Sequence, residues 1–243
     1  WLPRHHDSQG LSPIILLNHP AQNSSPNDKE YGIDDYPDFK KWREAIDKYA
    51  HLINIVNGPS HGSAHPGKPS ESEFRRYLNL GLHVAPTADQ DNHKMDWGSA
   101  ADTRTAIIAS SLTRQSLLNA MRNRNVYATQ DKNLRIIGRI NGELLGKRFQ
   151  GVQVPAIDSD LNIEFEIEDD DEPYAHYTLE VYSDVIGGAD EAHFVKRMKV
   201  TGNGLFQISG VKYAGGNEYF FVKIRQTDED EEEVDYAWLA PAY

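Results

Sequence analysis

Three short apolar runs in the first ninety positions predict the strands of a parallel sheet. They lie at Pro13–Leu17, Leu52–Val56 and Leu82–Ala88. Apolar residues in these runs mostly follow one another without regular polar alternation, which is typical of strands that are covered on both faces. The sequence therefore predicts buried strands in a layered α/β arrangement.

Helical patterns separate the predicted strands. Apolar residues recur at three- and four-residue steps from Phe39 to Ile53, on a segment that is otherwise charged. Ser70 and Glu73 form a capping-box pattern, and Gly81 ends the helix that they begin. A further amphipathic helix is predicted over residues 113–124. Strands that alternate with helices indicate βαβ units.

The pattern changes near residue 132. From Leu134 onward strand-like runs alternate with turn signals such as Asn141-Gly142 and Gly215-Gly216. These runs are 135–140, 161–167, 177–182, 193–200, 205–209 and 219–226. Short strands at this spacing predict a β-sandwich. We therefore expect an α/β plus all-β fold class with two domains, residues 1–132 and 133–243.

Composition narrows the classes of partner. The formal net charge of −12 argues against a nucleic-acid backbone as the main partner. The chain has no cysteine, so any metal must be held by histidine and carboxylate side chains. No apolar run is long enough for a membrane-spanning helix, and no membrane partner is expected.

Candidate metal ligands follow the third predicted strand. In the run Thr87–His93, Asp91 and His93 are two residues apart and can offer an oxygen and an imidazole nitrogen to one cation. In parallel α/β folds, sites assemble beyond the carboxyl ends of the strands. Asp-x-His alone is a weak pattern, and its position leaves the ligand and incidental interpretations about equal. Asn57, after the second strand, could donate hydrogen bonds in the same site.

His19 ends the first predicted strand in the same way, within Asn18-His19-Pro20. A lone histidine beside proline is more often a loop or core residue. A rim shared with Asp91 and His93 instead favours a neutral imidazole ligand. His61 and His65 lie in a loop rich in proline, glycine and serine, and are interpreted as solvated.

Other charged groups allow two interpretations each. Arg104 could bind an anionic substrate oxygen or form a structural salt bridge with Asp102 or Asp91. The acidic runs Glu168–Glu172 and Asp228–Glu233 could bind calcium, but neither has the spacing of an EF-hand loop. Solvated hairpin turns are the favoured interpretation of both runs.

A set of short motifs carries a resemblance to a known family. They are Asn18-His19-Pro20, Thr87-Ala-Asp-Gln-Asp-Asn-His93, Asp96-Trp97-Gly98, Arg104-Thr105, Leu112-Thr113, Tyr127-Ala128-Thr129, Asp131-Lys132-Asn133-Leu134, Asn141-Gly142 and the C-terminal Tyr219–Gln226 and Ala237–Pro241. In combination they resemble the polymerase and histidinol phosphatase (PHP) superfamily, in particular its secreted, carbaryl-hydrolase-like branch. The resemblance covers nearly the whole chain.

The resemblance implies a fold and an activity. Residues 1–132 would be the C-terminal part of a distorted (β/α)7 PHP-type barrel, followed by a β-sandwich. The activity would be that of a metal-dependent phosphoesterase, in which activated water hydrolyses a small-molecule phosphate ester. Two or three divalent ions (Zn, Mn or Fe) would be bound, with His19, Asp91 and His93 among the ligands. The protein would be secreted or periplasmic.

The family also opens with His-x-His and places further ligands before the His-Pro motif. These are not convincingly present upstream of His19. We therefore expect the missing N-terminal part of the same precursor, in the same chain or as a separate chain, to complete the site. Two alternatives remain open: a carbamate or carboxylic-ester hydrolase on the same scaffold, and a non-catalytic binding module.

Overall fold

The computed structural model describes residues 6, 10–20, 39–58, 69–147, 155–187, 192–228, 230 and 234–243, with the backbone alone at residues 39–42. In these ranges the helices are α1 (Phe39–Ile46), α2 (Glu71–Asn79) and α3 (Arg114–Arg122). The strands are β1 (Ile15–Leu17), β2 (Ala50–Asn57), β3 (Ala85–Asp89), β4 (Arg104–Ile107), β5 (Val126–Thr129), β6 (Arg135–Ile140), β7 (Glu143–Leu144), β8 (Asp160–Glu168), β9 (His176–Val185), β10 (His193–Thr201), β11 (Gly204–Lys212), β12 (Glu218–Thr227) and β13 (Val234–Leu239). A search of the described helices for one long and apolar enough to cross a membrane finds none.

The first three strands form a small parallel sheet in the order β1-β2-β3. Both outer strands pair with β2 in parallel. Seven of the eight positions of β2 are buried, as expected for a strand covered on both faces. The three predicted N-terminal strands are thus confirmed as elements. Their carboxyl ends lie along one edge of the sheet.

The remaining strands form two antiparallel sheets. The larger has the order β10-β9-β12-β13-β5-β4, and the smaller has the order β11-β8-β6-β7. Strand β13 pairs with β5, and β5 pairs with β4. The six-stranded sheet therefore takes strands from both sides of residue 132.

The middle of the six-stranded sheet, at β12, is buried on both faces. On β12, Phe220, Val222 and Ile224 pack into the core between the two antiparallel sheets. The alternate residues Tyr219 and Phe221 belong to a second core, which contains α2 and β2. Successive side chains of a strand point to opposite faces, so one strand supplies both cores.

The predicted fold class is wrong in its first half. Residues 1–132 are not the C-terminal part of a distorted (β/α)7 PHP-type barrel, because parallel pairing stops after β3 and the sheets beyond it are antiparallel. The barrel was implied by the resemblance of short motifs, which carry no information on strand direction; β5, which overlaps one of these motifs, is antiparallel and yet buried at all four positions. An antiparallel strand that is covered on both faces loses its alternation of apolar and polar residues, and then resembles a parallel strand in sequence.

The helices are shorter than predicted. Helix α1 ends at Ile46, and Ile53, assigned to the same apolar stripe, lies inside β2. Ser70 occupies the N-cap of α2, but its side chain makes no capping hydrogen bond, so the predicted capping box does not form. At α3, by contrast, Thr113 caps the helix by accepting a hydrogen bond from the Ser116 amide.

One carboxylate attaches α2 to the six-stranded sheet. Glu71 accepts hydrogen bonds from Lys223 Nζ at 2.7 Å and from Trp238 Nε1 at 3.1 Å, and it also pairs with Arg75. Burial raises the pKa of Glu71, but the hydrogen bond and charge of Lys223 outweigh burial, so the pKa lies below its ordinary value. The ion pair therefore stabilises the contact between helix and sheet.

We predict that Glu71→Ala lowers the free energy of unfolding by about 2 kcal/mol, because Lys223 and Trp238 lose their acceptor in a largely buried place. Glu73→Ala is the matched control. Glu73 also lies in the first turn of α2 and is about as exposed as Glu71 (16% against 17%), but it pairs with Arg76 of its own helix, and its loss should change stability by less than about 1 kcal/mol. Urea unfolding followed by circular dichroism measures both changes. Equal losses in the two variants would contradict the proposed attachment.

We also predict a specific pH dependence for Glu71. Since its folded-state pKa is lowered, its contribution to stability is present above the ordinary value of 4.5 and is lost as pH falls through the lowered value. The stability difference between wild type and Glu71→Gln should therefore shrink below about pH 4.5. Urea midpoints measured for both proteins across this range test it. A difference that stays constant or grows on acidification would refute this assignment.

Candidate functional site

Polar side chains collect at the carboxyl edge of the parallel sheet. His19 follows β1, Asn57 ends β2, and Asp89 ends β3. Asn57 and Asp89 are direct cross-strand neighbours. His19 lies within electrostatic range of Asp89, because its charge lowers the pKa of that carboxyl. The three strand ends thus place their polar residues together, as expected for parallel strands.

Asp89 is the acid at this edge whose two carboxylate oxygens both accept hydrogen bonds. Asn54 Nδ2 donates to Asp89 Oδ2 at 2.7 Å, and the amide of Asp91 donates to Asp89 Oδ1 at 3.0 Å. Burial, followed by the like charge of Asp91, raises the pKa of Asp89 despite the Asp91 amide and His19. Both carboxylate oxygens are therefore held in fixed positions in a partly desolvated place.

Three buried polar atoms at this edge have no hydrogen-bond partner among the described residues. They are His19 Nδ1, Asn54 Oδ1 and Asn57 Nδ2. A buried polar atom without a partner typically costs about 1–3 kcal/mol, so such atoms are rare in folded proteins. Their concentration beside a fixed carboxylate marks this edge as a place for a ligand.

Backbone strain is found at the same place. His19 has φ = +32° and Asp91 has φ = +44°, and both values lie in the left-handed region that non-glycine residues seldom adopt. In the described part of the chain, five non-glycine residues have positive φ, and these are two of them. Strained residues of this kind concentrate at functional sites, where the surrounding structure holds them.

Asp91 and His93 form a local pair. His93 Nδ1 lies 2.7 Å from the Asp91 carbonyl oxygen and 3.8 Å from Asp91 Oδ1. Donation from Nδ1 to the carbonyl leaves the imidazole lone pair on Nε2 in the neutral ring. This arrangement is the usual one for a histidine that binds a metal through Nε2. The side chain of His93 is 72% exposed and that of Asp91 25%.

A pocket of about 510 Å³ opens over this edge. Its lining includes Asn18, Asp89, Asp91, His93 and Trp97. Asn18 follows β1, Asp89 ends β3, and the other three residues come after β3. The pocket is therefore shared between two strand ends. Trp97 is 73% exposed and forms an aromatic part of the wall.

Arg104 holds the loop that closes one side of the pocket. Its Nη1 donates to the carbonyl oxygens of Ala101 and Thr103 at 2.7 and 2.8 Å, and its Nη2 donates to the carbonyl oxygen of Gly98 at 2.7 Å. Arg104 also lines the pocket. The described contacts of the guanidinium are thus with backbone carbonyls, which is a third arrangement beside the two expected from sequence.

Threonine side chains join β3 to the antiparallel sheet. Thr105 Oγ1 donates to the Ala88 carbonyl at 2.6 Å and accepts from the Ala88 amide at 3.0 Å. Thr103 Oγ1 donates to the Asp89 carbonyl at 3.2 Å. On the side of β3 away from β2, where no strand of the described residues pairs with it, these hydroxyl groups hold its end in place. They therefore also fix the position of Asp89.

The three predicted metal ligands share this edge but do not converge. Among the described residues, one group of three acidic or imidazole side chains has ligand atoms all within 4.8 Å of one another, and it contains neither His19, Asp91 nor His93. Asp89 and Asn54 were missed as site residues. The signal for Asp89 was present, because Thr87, Asp89, Asp91 and His93 alternate along the run. No sequence pattern pointed to Asn54.

His51 and His83 make contacts that serve the fold. His51 lies in β2, where burial first of all lowers its pKa and Nδ1 lies 2.6 Å from the Tyr49 carbonyl. His83 pairs with Asp47 at 2.9 Å. The interpretation of His61 and His65 as solvated falls outside the described residues.

We predict that Arg104→Lys speeds amide hydrogen exchange in residues 98–103 and lowers stability by about 1–2 kcal/mol, because one ammonium group cannot replace a fork that serves three carbonyls. Arg114→Lys, at the exposed start of α3, is the control and should change neither. Exchange is followed by mass spectrometry. Unchanged exchange together with weaker binding of a phosphate ester would instead support a direct role for Arg104 in substrate binding.

Comparison with known proteins adds no identification. No protein-family model matches the chain, and no curated protein matches it. The functional argument therefore rests on the geometry at the edge of the parallel sheet.

Proposed function

We propose that this chain is part of a metal-dependent hydrolase, and that its substrate is a small-molecule phosphate ester. The observation that carries the proposal is a group of three buried polar atoms, on His19, Asn54 and Asn57, that have no hydrogen-bond partner among the described residues and lie beside the fixed carboxylate of Asp89. A bound cation and its water ligands would satisfy these atoms and would also explain why the strained backbone at His19 and Asp91 is retained.

The donor set fits a divalent cation of the zinc, manganese or iron type. Asp89 and Asp91 offer carboxylate oxygens, and His19 and His93 offer imidazole nitrogens, which is the mixture these ions accept. When bound, such an ion lowers the pKa of a water molecule and polarises an ester oxygen. The proposed ligand set is His19, Asp91 and His93 from the sequence, with Asp89 added from the structure. No three of these residues, all of which the structure describes, have ligand atoms all within 4.8 Å of one another, so binding of one ion would require their side chains to move together.

The surrounding residues position this set. Asn54 and the Asp91 amide hold the Asp89 carboxylate from two sides. The Asp91 carbonyl orients the His93 ring. Arg104 keeps the loop 98–103 in place and thereby positions Trp97, whose ring provides an apolar surface for the organic part of an ester. Each of these contacts limits movement of a group that faces the pocket.

The motif resemblance supports the proposal independently of the structural contacts. The resemblance of the motifs Asn18-His19-Pro20 and Thr87–His93 to the PHP superfamily favours phosphate esters over other esters. The same resemblance favours completion of the site by an N-terminal part of the same precursor, and secretion or export to the periplasm. A carbamate or carboxylic ester on the same site is an outcome that the test below distinguishes.

We predict that the full natural polypeptide, loaded with Zn²⁺ or Mn²⁺, hydrolyses bis(p-nitrophenyl) phosphate. Asp89→Asn and Asp91→Asn should each reduce turnover by about 100-fold, because each removes a negative ligand or its support. Asp102→Asn is the matched control. Asp102 is exposed and belongs to the loop 98–103 beside the pocket, and its replacement should leave turnover within about twofold of wild type.

Isothermal titration with the metal alone supplies an independent readout. The expected result is binding by wild type and by Asp102→Asn, and weaker binding by the other two variants. Turnover of an aryl carbamate but of no phosphate ester would move the proposal to the other substrate class. Absence of metal binding in the wild-type protein would refute it, as would full activity in Asp91→Asn.

A further inference from the structure

A second polar cluster lies in the antiparallel half and is made of residues that do not belong to the proposed hydrolase site. Asp131 follows β5, and Asp169 and Glu172 follow β8. Their carboxylate oxygens all lie within 4.8 Å of one another. Asp169 is fully buried, and Asp131 is 7% exposed. The turn that the sequence suggested to be solvated therefore holds a buried acid.

Each aspartate presents one oxygen to the loops and the other to a common centre. Asp169 Oδ1 accepts from Asn133 Nδ2 at 2.6 Å and from the amides of Asp171 and Glu172. Asp131 Oδ1 accepts from the Asn133 amide at 2.8 Å. The second oxygens, Asp131 Oδ2 and Asp169 Oδ2, face inward together with Glu172 Oε2.

Gln226 of β12 occupies this centre. Its Nε2 lies 2.9, 2.8 and 2.7 Å from the inward oxygens of Asp131, Asp169 and Glu172. A carboxamide nitrogen carries two protons, so it can donate to at most two of the three. The Gln226 side chain, in a residue only 2% exposed, also leaves its Oε1 without a partner among the described residues. One neutral amide does not balance this set of charges.

A second unpartnered group points to the same centre. Tyr177 is the direct cross-strand neighbour of Gln226, so the two side chains lie on one face of the sheet. Tyr177 is 1% exposed, and its hydroxyl faces Asp169 without a well-formed hydrogen bond in the described ranges.

No cationic side chain balances the cluster in the ranges that the structure describes. Lys132 and Arg135, which follow Asp131 in sequence, pair with Asp102 and with Glu168 and Asp170 instead. Arg225 precedes Gln226 in β12, so its side chain points to the opposite face of the sheet. Two or three negative charges held together in a buried place need a positive charge nearby or must be protonated. The available donors are all oxygen atoms, and hard cations prefer such donors.

We propose that Asp131, Asp169, Glu172 and Gln226 bind a hard divalent cation, and that Ca²⁺ fits best. Calcium–oxygen distances of about 2.3–2.6 Å allow ligand oxygens up to about 5 Å apart across the ion, which the 4.8 Å limit of the cluster meets. Half a turn of the carboxamide about its last bond exchanges Oε1 with Nε2 and gives the cation a fourth oxygen ligand. Tyr177 then has a water ligand of the ion within reach as a partner.

The bound ion would connect segments that are distant in sequence. It would join the end of β5, the turn after β8 and the end of β12, and so fasten the two antiparallel sheets at one end. The site has the role of a structural clamp and does not depend on the proposed hydrolase activity.

Titration of the EDTA-treated full polypeptide with CaCl₂ tests the proposal. We predict binding by wild type and a melting temperature that rises with Ca²⁺ concentration. Asp169→Asn should weaken Ca²⁺ binding by at least about tenfold, because it removes a charged ligand. Asp170→Asn is the matched control, since Asp170 is the exposed neighbour that pairs with Arg135, and it should bind within about twofold of wild type.

Gln226→Glu keeps the test decisive if Asp169→Asn does not fold. It adds a fourth carboxylate of the same shape, so it should be less stable than wild type in EDTA and should gain more stability than wild type from Ca²⁺. The proposal is overturned if Ca²⁺ changes neither the heat of titration nor the melting temperature of the wild-type protein. It is also overturned if Asp170→Asn loses as much affinity as Asp169→Asn.

Discussion

Burial of strand β12 on both faces is the constraint on which the rest of the structure depends. Phe220, Val222 and Ile224 fill the space against the four-stranded sheet, and Tyr219 and Phe221 fill the space against α2 and β2. Among the described residues, the small parallel sheet packs in a core that it shares with the six-stranded sheet. Its packing, and therefore the position of the polar edge at His19 and Asp89, is set by side chains of β12 and β13.

Much of the secondary structure could be predicted from sequence, because it depends on local patterns. The strands from Arg135 to Thr227 lie where alternating residues and turn signals place them. The direction of strand pairing could not be predicted in the same way. In β5 every position is buried, and burial on both faces removes the alternation that separates antiparallel from parallel strands. The barrel interpretation came from the resemblance of short motifs, and such motifs do not specify the direction in which the strands after β3 pair.

The same difference between local and long-range contacts decides which residues of the candidate sites could be predicted. The Asp91–His93 pair is local, and the sequence pattern contains it; His19 reaches the same edge because parallel strand ends lie together. Asn54 was not predicted, because its contact with Asp89 spans 35 positions and depends on strand register. Likewise, Asp131 and Gln226 meet across 95 positions, and only the sheet topology brings them to one place. Residues that approach through tertiary structure leave no short-range signal.

The attachment of α2 to the last strands has a consequence for biosynthesis. Glu71 finds its partners 152 and 167 residues later in the chain, at Lys223 and Trp238. While the ribosome is still translating the middle of the protein, the apolar sides of α2 and β2 have nothing to pack against. Contacts of such long sequence separation form slowly, and the waiting surface is open to association with other nascent chains. Docking of α2 and β2 onto the six-stranded sheet therefore waits until β12 and β13 have been synthesised, and chaperones that shield apolar segments should associate with the growing polypeptide until then.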